Sequence, residues 1–195
     1  LTTDGMVTQS GTMAVDRLAL RGTGDFIFDQ AGNQISKLAA GVPEAVIEDP
    51  DNAEQNITVP ADGVGQLTLN NVSALELGRV TTIVDGEPDT VTGITASGAV
   101  SMAVTGASLT IDEAIDTTNT ISLSTSDAAL TVNDTINTTD DTTSALTLTT
   151  SGTGEVIELG ADITTVGGQT LSGDSKLIAD VTLNATGAGS APVAF

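Results

Sequence analysis

Apolar and small polar residues alternate in short bursts along almost the whole chain, in triplets such as Ile-Ser-Leu, Leu-Thr-Val and Leu-Thr-Leu. Alternation with period two predicts half-buried strands. It places them at residues 12–15, 17–20, 26–28, 35–38, 66–69, 74–77, 99–104, 109–111, 121–123, 130–132, 146–148, 156–159, 163–166 and 177–183. Between them lie bends of Thr, Ser, Asn, Asp and Gly. The only helix-favouring composition, at 35–48, is cut by Gly41 and Pro43. Residues 42–62 break the rhythm with Pro43, Pro50 and Pro60, which cannot donate to a ladder. This predicts an acidic loop or edge excursion, with strands only near 45–47 and 57–59.

The bursts are lines of one repeated text. SLTIDEAID at 108–116 matches ALTVNDTIN at 129–137: an apolar-Thr-apolar triplet, an acidic or amide turn, then a lone Ile that begins the next short strand. Self-similarity at a spacing of roughly 20 residues is the mark of a solenoid, in which each turn buries its apolar face against the next. The expected fold is therefore all-β, a right-handed parallel β-helix of about eight coils. It forms a single solenoid segment over 1–195 with the excursion at about 42–62. An antiparallel β-sandwich of a filament subunit is the alternative. It would favour longer strands, more hairpin signals than Asp4-Gly5 and Asp85-Gly86, and aromatic core anchors.

Composition narrows the function. The chain has 195 residues, 39% of them hydrophobic, and no Cys, His, Trp or Tyr. The usual zinc and transition-metal ligand sets are missing, as are Ser-His and Cys-His nucleophilic pairs. Five Lys and Arg against 26 Asp and Glu give a net charge of −21. Such a surface repels phosphate backbones and anionic membranes, so nucleic acid is not an expected partner. No run approaches the roughly 18 apolar residues of a membrane helix, and no membrane insertion is expected. The chain begins at Leu1, which reads as a processed terminus or as a point within a longer protein.

Three stretches carry a family resemblance: GDFIFDQAGNQISKLAAG at 24–41, ASLTIDEAIDTTNTISLSTSDAALTVNDTINTTDDT at 107–142 and LGADITTVGGQTLSGDSKLIADVTLNATGAGS at 159–190. They resemble the repeats of very large bacterial surface proteins of the filamentous-haemagglutinin type. The likeness covers nearly the whole chain apart from the acidic stretch near Pro50. The amino-terminal secretion module of such exoproteins does not occur within it. The resemblance implies a parallel β-helix shaft, exported to the cell exterior, that serves as an adhesin or a structural fibre.

Candidate sites are sparse. Glu48, Asp49, Asp51 and Glu54, and separately Asp134, Asp140 and Asp141 near Asp127, offer oxygen ligands of the kind Ca²⁺ takes. Neither group has EF-hand or β-roll spacing, so weak Ca²⁺ binding is the most they imply, against the plainer reading of a solvated acidic loop. The carboxylate pairs Asp112 with Glu113 and Glu155 with Glu158 lack the aromatic and basic neighbours of a sugar-cleaving site, and no enzymatic activity is expected. Asn56, Asn71, Asn133, Asn137 and Asn184 each head an Asn-x-Ser/Thr sequon.

The function expected is structural: an extracellular fibre, stalk or coat segment, with no cofactor. An adhesin that binds glycans is the alternative. The chain shows no terminal cap, and its tail, GAGSAPVAF, is small and apolar. It is expected to continue into further coils or to pack head to tail, with Leu177, Leu183 and Phe195 of one copy meeting Leu1 and Val15 of the next.

Overall fold

The computed structural model describes residues 1–41, 45–49, 52–59, 63–84, 86–187 and 193–195, with the side chains of 45–49, 52–59 and 84 left aside. No helix occurs among them, and the strands stack as a parallel β-solenoid of about seven turns. The sandwich alternative is thereby set aside. Each turn presents three faces.

The first face is an eight-stranded parallel ladder: Val7–Thr8, Phe26–Phe28, Leu67–Asn71, Val100–Thr105, Ile121–Ser126, Leu146–Ser151, Gln169–Ser172 and Val193–Ala194, the last pair beginning a further turn. The second and third faces share a 12-stranded sheet. In the early turns Ala14–Leu20 and Gln34–Ala40 run along both faces. Later the turn bends, giving Leu109–Ile111 then Ile115–Thr117, and Leu130–Val132 then Ile136–Thr138. The lone Ile of the repeated text is thus the first residue of a third-face strand, as its position in the text predicts.

Register makes the core. Phe28, Leu69, Met102, Leu123, Leu148 and Leu171 form one inward column, and Ile94, Ile115, Ile136, Ile163 and Leu183 another. All of these except Leu183 are buried. A slip of one residue would turn each column out to solvent, so burial of one side locks the stacking. β-Branched and Leu side chains suit such columns, because identical shapes repeat at about 4.8 Å.

Three predicted elements differ from those observed. Residues 177–183 are not one strand: Asp174–Leu177 lies on the second face and Leu183–Ala185 on the third. The chain between them must turn a corner, with Ile178 N–H donating to Leu159 O at 2.9 Å and Thr182 N–H to Asp162 Oδ1 at 2.7 Å. The strands expected at 12–15 and 17–20 are one, Ala14–Leu20. The acidic excursion holds an antiparallel hairpin, Ala45–Asp49 against Asn52–Val59, with Ile47 opposite Ile57.

A second hairpin went unread in the sequence. Arg79–Val84 pairs antiparallel with Glu87–Thr92 between the second and third faces of one turn, and Gly86 in the connection sits at φ 89. Chain re-entry at Gly93 requires glycine: φ is 63, and a Cβ there would stand 2.3 Å from Ala114 O.

Candidate functional site

The outer surface, rather than an enclosed cavity, carries the polar chemistry, and its three faces differ. Outward residues of the first face are Thr68, Ser101, Ser122, Thr147 and Thr170 in one column and Asn70, Ala103, Ser124, Thr149 and Ser172 in the next. Neither column carries a charge, on a chain of net charge −21. On the second face the outward column holds opposite charges side by side: Lys37 pairs with Glu76, and Lys176 Nζ lies 3.1 Å from Glu158 Oε1.

The third face bears Thr95, Asp116, Asn137, Thr164 and Asn184. A groove of about 310 Å³ runs beside them, walled by Thr118, Thr139 and Val166. Its main polar contact is already satisfied, because Asn137 Nδ2 donates to Asp116 Oδ1 at 2.9 Å. The same arrangement recurs at the neighbouring bend, where Asn133 Nδ2 donates to Asp112 Oδ1 at 2.7 Å; each pair is 21 residues apart. Where one coil has Asp, the next has Asn. Stacked carboxylates about 4.8 Å apart would repel, and the amide turns that repulsion into a hydrogen bond.

Buried polar groups line the corners. Thr117 Oγ1 donates to Gly98 O at 2.9 Å, Thr138 Oγ1 to Asn119 O at 2.6 Å and Thr165 Oγ1 to Gly167 O at 2.5 Å. Thr117 and Thr138 also accept from the N–H two residues on, each at 3.1 Å. These threonines close the turn where the chain leaves the third face, a role that their Thr-Thr spacing does not distinguish from surface position.

Of the calcium candidates, Asp134, Asp140 and Asp141 do not converge. Asp134 lies at the bend between the second and third faces, where its Oδ1 accepts from Thr135 N–H at 2.6 Å. Asp140 follows the third face and accepts from Thr142, while Asp141 is exposed. Among the described residues no three acidic side chains gather as a metal site. Asp51, and the side chains of Glu48, Asp49 and Glu54, lie outside the described residues.

Three of the four paired carboxylates are likewise spoken for: Asp112 by Asn133, Glu113 by Arg79 at 3.4 Å, Glu158 by Lys176. Of the sequons, Asn71 is buried, its Nδ2 donating to Ile35 O at 3.0 Å and Ser73 O at 2.7 Å, which removes it as a glycan acceptor. Asn184 is exposed, and the side chain of Asn56 lies outside the described residues.

Of the assembly candidates, Leu1, Leu177 and Phe195 are 56%, 59% and 81% exposed, whereas Val15 and Leu183 pack partly against the core. Burial first, and Arg21 second, hold the Leu1 α-amino group below its ordinary pKa while it donates to Ala19 O at 2.8 Å. Comparison with protein-family models, with curated proteins and with solved structures finds no match to this chain.

Proposed function

We propose that this chain is a structural β-solenoid segment of a bacterial surface protein of the filamentous-haemagglutinin type, serving outside the cell as fibre, stalk or coat, with no catalytic role. The observation that carries this reading is the parallel stack of repeated short strands. Among the described residues Asp174–Leu177, Leu183–Ala185 and Val193–Ala194 are the last strands of their ladders, and Leu177 and Phe195 are exposed beside them. Unpaired strand edges with apolar neighbours favour addition of another coil.

That coil is supplied by continuation of the chain or by a second copy. Val7 heads the column that ends in Val193, and Leu18 heads the one that ends in Leu177, so a copy stacked in register supports both apolar columns. The same register sets Lys176 against Arg17, a like-charge pair that favours the covalent branch. Electron microscopy with intact-mass measurement tests the reading. Rods or oligomers at high concentration, or a longer native polypeptide, agree with it; a monodisperse 19.4 kDa monomer with covered ends, Ca²⁺ present, overturns it.

A glycan- or cell-binding adhesin is the second reading. It is favoured by the two antiparallel hairpins that leave an otherwise parallel stack, the second presenting Ile83, 69% exposed, opposite Pro88. Insertions on a rigid scaffold are where binding residues concentrate. A glycan array with and without Ca²⁺, repeated after deletion of 42–62 or of 79–92, separates the readings: saturable binding lost with either hairpin supports the adhesin.

A further inference from the structure

The hairpin at 79–92 does not project freely. Val80 and Val91 are buried against Ala19 and Ala39, forming a second apolar cluster separate from the solenoid interior. Ala19 and Ala39 pair in register on the outer side of the corner between the second and third faces, while their neighbours Leu20 and Ala40 point into the main core. The hairpin therefore leaves one turn and lies back across the two turns before it.

Arg21 ties it there. Its guanidinium, with a side chain only 13% exposed, stands 2.9 Å from Asp89 Oδ2 on the hairpin. Its backbone holds the first residues of the chain, donating to Leu1 O at 2.9 Å and accepting from Thr3 N–H at 3.0 Å. One residue thus joins the hairpin, the Ala14–Leu20 strand and the N-terminal segment. The ladder sets Ala19 and Ala39 level with Gly93, Ala114, Thr135 and Asp162 of later turns, and alanine there is small enough to admit the hairpin.

We propose that the 79–92 hairpin is a strap, latched by Arg21 and Asp89, which holds the first two turns closed on the third so that its release opens them as one unit. Solenoid stability is a sum of each turn's own stability and its contacts with neighbours, so a turn that loses a lateral contact opens without the rest. Val80 and Val91 are the buried hydrophobic residues that cluster with Ala19 and Ala39.

Hydrogen exchange followed by mass spectrometry on the full chain tests this. Gly93 N–H donates to Gly78 O at 3.0 Å, so the hairpin base is already closed and 79–92 is replaceable by a Ser-Gly link. In that variant, amides of Ala14–Leu20 and Gln34–Ala40 should exchange faster by about tenfold or more, with Ile121–Ser126 and Leu146–Ser151 unchanged. Asp89→Ala should give a smaller rise in the same segments, since it leaves the buried guanidinium unpaired. Unchanged protection at 14–40 in the excised chain, or an equal rise in every turn, overturns the strap. No effect of Asp89→Ala overturns the latch.

Discussion

The turns from Val100 to Thr165 and those before them reach the same cross-section by different means. In the later turns each strand sits on its counterpart in the next line of text: Leu109 on Leu130 and Ile115 on Ile136, then Leu130 on Ile157 and Ile136 on Ile163 after longer bends. In the first two turns the second and third faces are continuous strands, two hairpins interrupt the path before Val100, and part of the outer surface is apolar. Regular text needs no further support, because each coil meets an equivalent coil above and below. Interrupted text loses that equivalence, and here a second small core and the Arg21–Asp89 pair make up for it.

The strongest way to break the regular region is through its interior column. Leu123 is fully buried between Met102 and Leu148, and Leu123→Ala should cost about 2–5 kcal/mol in urea unfolding, since flanking coils cannot collapse into the gap. A loss below about 1 kcal/mol would show that the columns are loosely packed. Thr138→Val keeps the shape but strands Asn119 O and Asp140 N–H at the corner, and should cost about 1–3 kcal/mol by the same measurement.

Asn137→Asp sharpens the contrast at the surface. It sets a carboxylate beside Asp116 on the neighbouring coil and should destabilise by about 0.2–1 kcal/mol at low salt. The penalty should shrink as salt screens the pair, and a penalty independent of salt would mean that the hydrogen bond alone matters. Smallest of all, Leu177→Ala at the open edge should shift stability by less than about 0.5 kcal/mol in the isolated chain, because the side chain is 59% exposed. A larger loss there would reveal that another coil or copy already covers it.

Much of this was legible in the residues themselves. Alternation located the strands of the regular turns, often to the residue, as at Leu109–Ile111 and Leu130–Val132, because the period-two pattern is local and one side of each strand must be buried. The repeated text then implied stacking. Strand ends were less legible: Leu146–Ser151 runs on through Thr149 and Thr150, whose hydroxyls look like bend residues until Thr150 is seen to point inward. The 79–92 hairpin had a visible signal in Asp85-Gly86, yet Arg79–Val84 reads like any other strand, and nothing local says that its partner is the next strand rather than the next coil.

Sequence by itself determined that this chain is all-β, built of short repeated strands, strongly acidic and without His or Cys. Tertiary structure alone decided which residues meet: Asp112 with Asn133, Asp116 with Asn137, Arg21 with Asp89, and the buried threonines with the corner carbonyls. The reason is physical. A strand's tendency to form depends on residues within a few positions, whereas its ladder partner is chosen by the burial of whole columns, which exist only after the coils have stacked.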